Sequence, residues 1–178
     1  INFIQPPLVA PEIGGIFGTD PESDITVTVT NTSFTDNEAK GGGALFNRFG
    51  EVTISGSRFT ENRGIGSGAG GIVNADASQL SVTDTVFIDN TAIQAGGAIK
   101  NFGSLSIVDS EFTGNSAYSG GAIYNYSGMV KAVEHTATIL LSDSTLRENS
   151  ATRGGGLANY GYDGFNGSGT IQERKSVG

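Results

Sequence analysis

Five times along this chain a Ser or Thr is followed two residues later by Phe or Leu, and three residues beyond that by Asn. The anchors are Phe34, Phe59, Phe87, Phe112 and Leu146, separated by 25, 28, 25 and 34 residues. The hydroxyl residues are Thr32, Ser57, Thr85, Ser110 and Ser144, and the asparagines are Asn37, Asn62, Asn90, Asn115 and Asn149. Seven and five residues ahead of the anchors stand apolar pairs: Val27/Val29, Val52/Ile54, Leu80/Val82, Leu105/Ile107 and Ile139/Leu141. A second Asn follows each anchor, at Asn47, Asn74, Asn101, Asn125 and Asn159, most clearly in GGALFN (42–47), GGAIKN (96–101) and GGAIYN (120–125). Self-similarity at a period of this size is the mark of a stacked repeat architecture.

Each column has a physical meaning. Apolar residues two apart share one face of a strand, so the pairs face a core and the residues between them face out. A unit of about 25 residues cannot enclose a core alone, but identical units stacked at about 4.8 Å bury one another's apolar rows. Stacking sets Phe over Phe and Asn over Asn. Asn amides can donate and accept from level to level, which makes a polar column tolerable inside. Gly-Gly permits a corner with unusual dihedrals or a close backbone approach. The expected fold is all-β: a single right-handed parallel β-helix, or β-solenoid, of five to six coils with three short strands per coil. Its interior would hold structural ladders of the five anchors and of both Asn columns.

The unit GGAIxNxGxLxIxxSxFxxNxA, best seen in Gly96–Ala117 and Gly120–Ser127, resembles the right-handed parallel β-helix repeats of bacterial surface proteins. It is similar to the repeats in the passenger regions of chlamydial polymorphic outer-membrane proteins and of large secreted adhesin-like proteins. The resemblance covers about residues 25–161. It implies the fold and an extracellular or cell-surface location, and it leaves function open among adhesins, fibres and enzymes.

Composition agrees with repetitive β-structure: 28 Gly, no Trp and one Met among 178 residues, without the triplet period of collagen. A net charge of −8 leaves no basic surface for nucleic acid or an anionic membrane. With no Cys there is neither a disulfide framework nor a thiolate metal site. No apolar run reaches the roughly 18 residues of a membrane span. Residues 1–24 fit no repeat, 25–161 hold the solenoid, and 162–178 form an incomplete last coil or C-terminal segment. The start at Ile1 rather than Met is what a cleaved leader or a fragment gives. Tyr126–Ala137, with the only His, is expected to leave the stack as an insertion loop, and Arg63–Gly68 is a shorter expansion. Neither end looks like a polar cap, and open strand edges invite pairing with another chain.

Four chemistries bear on these columns. Asp36, Glu61, Asp89 and Glu148 stand two residues after the anchors, and Asp84, Asp109 and Asp143 three before. Stacked carboxylates repel by about 1 kcal/mol per neighbour in water, so Asp36, Glu61, Asp89, Asp84, Asp109 and Asp143 are either calcium ligands or turn residues. No cofactor other than calcium is implied. A polysaccharide-cleaving β-helix would gather acids and bases on one face, whereas Arg58, Lys100, Arg147 and Arg153 occupy different columns, so no catalytic site is expected. GSGAGG (66–71) sits at the glycine corner without the following helix of a dinucleotide site. Outward rows beginning Thr28/Thr30 and Thr53/Ser55 resemble an ice-binding face but end in Val108 and Leu140. The expected function is a non-catalytic structural subunit of a microbial surface fibre that self-assembles through the solenoid ends and the apolar Ile1, Phe3, Ile4, Leu8 and Val9. The alternative is a monomeric adhesin that binds surface glycans. In a monomer the same N-terminal segment would cap the first coil.

Overall fold

The computed structural model describes residues 25–130, 133–161 and 170–174, with side chains given outside 129–135 and 170–174. All regular elements among them are β-strands. They form four sheets that run the length of the molecule. Sheet I stacks Ile25–Thr30, Gly50–Ser55, Gln79–Thr83, Ser104–Val108, Thr138–Ser142 and Thr170–Arg174. Sheet II stacks Ser33–Thr35, Arg58–Thr60, Val86–Ile88, Glu111–Thr113 and Thr145–Arg147. Sheet III stacks Glu38–Ala39, Arg63–Gly64, Thr91–Ala92, Ser116–Ser119 and Ser150–Arg153. Sheet IV stacks Leu45–Asn47, Ile72–Asn74, Ile99–Asn101, Ile123–Val130 and Leu157–Gly161.

Each level therefore contributes four strands, not the expected three. The strand that sequence periodicity does not reveal is that of sheet III, only two residues long in the first three levels, too short for an alternating pattern to show. Four register steps join five levels in sheets II to IV, about four turns of parallel solenoid. The register is strict. Val27 and Val29 pair with Val52 and Ile54, these with Leu80 and Val82, these with Leu105 and Ile107, and these with Ile139 and Leu141.

The core is a narrow shaft in which like covers like. Phe34, Phe59, Phe87 and Phe112 form one continuous ring stack, with centroids 4.5, 4.8 and 4.6 Å apart and planes within 11° of parallel. Leu146 extends the column against the core without a ring. The second corner glycine stands where adjacent backbones nearly touch. A Cβ on Gly97 would lie 2.0 Å from the carbonyl oxygen of Gly121, and one on Gly121 would lie 2.1 Å from that of Gly155. The first glycine of the pair has a left-handed backbone at Gly96, Gly120 and Gly154.

Two substitutions test this packing. Phe87→Ala empties the middle of the stack and should lower stability by about 3–5 kcal/mol. Gly97→Ala forces two levels apart and should cost about 1–3 kcal/mol. Chemical denaturation of the purified variants measures both, and a midpoint equal to wild type for either contradicts the stacked arrangement.

Candidate functional site

The repeated polar residues are turned inward and spend their hydrogen bonds on one another. In the column that follows the anchors, each Asn Nδ2 donates to the Oδ1 one level on: Asn37 to Asn62 at 2.8 Å, Asn62 to Asn90 at 2.9 Å, Asn90 to Asn115 at 2.9 Å and Asn115 to Asn149 at 3.0 Å. The same Oδ1 accepts the backbone N–H of the preceding Asn, at 3.0–3.1 Å. The second Nδ2 hydrogen of Asn62, Asn90, Asn115 and Asn149 goes back to the carbonyl of Phe34, Phe59, Phe87 and Phe112. The corner column repeats the device from Asn47 through Asn74, Asn101 and Asn125 to Asn159. A third ladder was not foreseen as one. The backbone N–H groups of Thr32, Ser57, Thr85 and Ser110 donate to the hydroxyl oxygens of Ser57, Thr85, Ser110 and Ser144. The Ser/Thr column was visible in the sequence, but its partners depend on the spacing between levels. These residues build the rod and leave nothing of themselves for a ligand.

The acidic columns are turns. Asn31, Gly56, Asp84, Asp109 and Asp143, and likewise Asp36, Glu61, Asp89, Gly114 and Glu148, all have φ between +48° and +67°. That left-handed region favours Gly, Asn and Asp, whose short side chains bond locally. Among the described residues no three His, Asp or Glu side chains gather into a group that could hold a metal ion.

Outside the shaft the sheet faces differ. On sheet I, Thr28, Thr53, Ser81, Ser106 and Leu140 form one row, and Thr30, Ser55, Thr83, Val108 and Ser142 another. A shallow depression of about 500 Å³ lies over its strand starts, lined by Glu51, Gln79, Ser104 and Thr138. On sheet II, Arg147 Nε donates to Glu111 Oε1 at 2.9 Å and Thr113 donates to the same oxygen at 2.9 Å. The Arg147 bond, then that of Thr113, holds the Glu111 carboxyl below the usual carboxylate range. Glycoside cleavage needs two carboxyl groups on one bond. Glu111 is engaged with cations and a hydroxyl, as in an ion pair between levels, and Arg63 with Glu38 on sheet III is similar, at 3.0 Å.

The corner between sheets III and IV is one place where the levels stop being alike. From the start of the sheet III strand to the second corner glycine, Arg63–Gly70 is two residues longer than Ser116–Gly121, and Thr91–Gly97 is one longer. The extra residue of the third level is Gln94: Ala95 bridges to Ser119, and the Ser119 N–H donates to the Gln94 carbonyl at 2.9 Å. Beside this bulge lies a groove of about 320 Å³ lined by Ile93, Gln94, Ala95, Lys100, Tyr118, Ser119 and Tyr124. Ile93 and Tyr118, at 59% and 52% exposure, are the large apolar side chains most open to solvent among the described residues. Tyr124 continues into an outward aromatic band on sheet IV, 5.3 Å from the Tyr160 ring and 6.2 Å from that of Tyr126, with Phe102 edge-on to Tyr126 at 5.9 Å.

The Lys100 ammonium lies 5.1 Å from the Phe102 ring centre and 5.8 Å from that of Tyr124. It donates to the Ser67 carbonyl at 2.6 Å, so the Arg63–Gly68 expansion fixes its direction. Burial pushes its pKa below that of an ordinary lysine. Burial, then the neighbouring tyrosines, pushes the Tyr124 hydroxyl up, which keeps it a proton donor. Arg153 lies over the Tyr118 ring at 5.6 Å.

The insertion is a β-hairpin. Gly128, Met129 and Val130 pair antiparallel with His135, Glu134 and Val133. Tyr126 and Ser127, expected within the loop, stay in sheet IV opposite Tyr160 and Gly161. Ala137 is fully buried, and its N–H donates to the Ser127 hydroxyl at 2.9 Å, which in turn donates to its carbonyl at 3.1 Å. The expected assembly residues Ile1, Phe3, Ile4, Leu8 and Val9 lie outside the described residues. Among the described residues no helix is long and apolar enough to cross a membrane.

Residues 31–48 and 109–126 match the model of the Chlamydia polymorphic membrane protein repeat. Each match covers one passage from the turn before sheet II, through sheet III, to the strand of sheet IV. Two stretches of the chain are thus similar to this repeat. Compared with the curated proteins and with the solved structures, it finds no significant match.

The hairpin yields a prediction with a sharp edge. Replacing Gly128–Thr136 by a short Gly-Ser turn should leave the β-rich circular dichroism spectrum intact and change stability by less than about 1 kcal/mol, because loop-closure cost varies slowly with length. Ser127→Ala, which strands the buried Ala137 N–H, should cost about 1–3 kcal/mol. A reversed order of the two effects would place the hairpin in the core.

Proposed function

We propose that this chain is a non-catalytic structural module of a bacterial surface protein, a right-handed solenoid of five to six coils that serves as a rod at the cell surface. The observation that supports this most is the inward direction of the whole repeat: Phe stack, Asn ladders and hydroxyl ladder are consumed by architecture. The matched repeat is that of a membrane protein of bacterial origin, which favours a place on or outside the outer membrane. Right-handed winding is the sense that parallel crossovers take in about 98% of cases.

Self-assembly into a filament is the finer part of the proposal. Every level offers the next the same hydrogen-bond rows and the same ladders, so a second copy set end to end continues all four sheets. Ile1, Phe3, Ile4, Leu8 and Val9 would add an apolar strap, since each large side chain left in water forfeits about 1.5–3 kcal/mol. The second reading, a monomeric adhesin, is favoured by the groove of Tyr118, Lys100 and Tyr124, which serves no purpose in stacking.

Sedimentation velocity over a wide concentration range, with negative-stain microscopy, separates the two. Under assembly the intact chain forms long polymers and deletion of residues 1–11 abolishes them while the β-spectrum persists. A monomer at every concentration rejects the filament and leaves the adhesin.

A further inference from the structure

We infer that the groove between sheets III and IV binds a carboxylate-bearing sugar unit of an acidic polysaccharide. The inference rests on the adhesive reading of the surface protein, but not on whether the chain polymerises.

The charge pattern carries it first. In a chain of net charge −8, no Asp or Glu among the described residues lines this groove. Lys100 has no carboxylate partner among the described residues. Its one hydrogen bond goes to the Ser67 carbonyl, which leaves two of the three ammonium donors for a ligand. Arg153, at the far side of Tyr118, touches the ring and, among the described residues, no carboxylate. By contrast Arg63 and Arg147, on the plain faces of sheets III and II, are paired with Glu38 and Glu111. Two cations beside aromatic rings, one of them half-buried at a desolvation cost, favour an anion that arrives from outside.

Shape and chemistry narrow the anion. The groove, at about 320 Å³, is at the lower end of small-ligand sites, about 300–1,000 Å³, so it takes a short unit rather than a protein side. Tyr118 and Tyr124 offer apolar ring faces with a polar tip, which suits the C–H face and hydroxyl edge of a pyranose. Gln94, pushed out by the bulge, adds an amide that both donates and accepts. An acidic peptide is disfavoured because extended peptides are read chiefly by adding to an open strand edge. Here the strands at Ile99–Asn101 and Ser116–Ser119 are paired on both sides.

Calorimetric titration of the full chain with oligogalacturonate, hyaluronan oligosaccharide and a sialylated oligosaccharide tests the inference. Methyl-esterified oligogalacturonate serves as the neutral control and poly-glutamate as the acidic peptide control. The expected result is saturable binding of at least one acidic sugar, with affinity at least about tenfold weaker for the methyl ester. Lys100→Met and Tyr118→Ala should each weaken binding about tenfold, with Lys100→Arg recovering part of the loss. Arg147→Gln, on the remote face of sheet II, should leave it unchanged. All variants should melt within a few degrees of wild type, since Tyr118 is exposed and Met suits the half-buried site of Lys100. The inference is overturned by no binding to any of the three sugars, by equal binding of the methyl ester, or by poly-glutamate binding at least as tightly. It is equally overturned if the Lys100 and Tyr118 variants bind like wild type.

Discussion

The side-chain amide that bonds to its own copy one level away is the constraint on which the rest of this molecule depends. Asn alone among the short residues can accept from the level behind and donate to the level ahead with one planar group. Asp in its place would set oxygen against oxygen, and Leu would leave the backbone N–H of the preceding Asn and the Phe carbonyl without a partner in a buried site. Asn62, Asn90 and Asn115 are fully buried with every amide hydrogen assigned. Inside a low-dielectric shaft such fully satisfied networks are strong and specific. They fix register where hydrophobic stacking, being non-directional, would let a level slip.

Once register is fixed, length becomes negotiable elsewhere. The levels differ in residue number, yet Phe stays on Phe and Asn on Asn. Surplus leaves the stack at the loop ending at Gly68, at the one-residue bulge at Gln94, at the corners Asn47–Val52 and Asn74–Leu80, which are longer than Asn101–Leu105, and at the hairpin Gly128–His135. Two of these, the loop and the bulge, border the groove or fix its lysine. The rod is thus built from what repeats, and its surface individuality from what does not.

That division explains what was legible beforehand. The apolar pairs, the anchors and both Asn columns are single residue types at fixed offsets, so their stacking could be read off the sequence. The sheet III strands, with Glu38–Ala39 and Thr91–Ala92 as examples, are too short to carry a period, and the solenoid therefore has four sheets rather than three. The acid columns left two readings open, calcium ligands or turn residues. Gly56, Gly114 and Asn31 in the same columns were the sign of left-handed turns, since only φ explains why Gly, Asn, Asp and Glu alternate there. The groove was illegible because Val73, Lys100 and Tyr124 share one outward column but differ in type from level to level, and a column without a constant residue type carries no period.

Amide hydrogen exchange followed by NMR tests the central role of the ladder most directly. The backbone N–H groups of Asn62, Asn90 and Asn115 each follow a left-handed turn residue and bond to a side-chain oxygen of the next level rather than to a strand. A ladder that holds register predicts protection at these three amides equal to that of Ile54, Val82 and Ile107 in sheet I, so that turns and strands open only together. Exchange at these positions orders of magnitude faster than in the sheet would show that the amide column is an ornament of the stack and not its fastening.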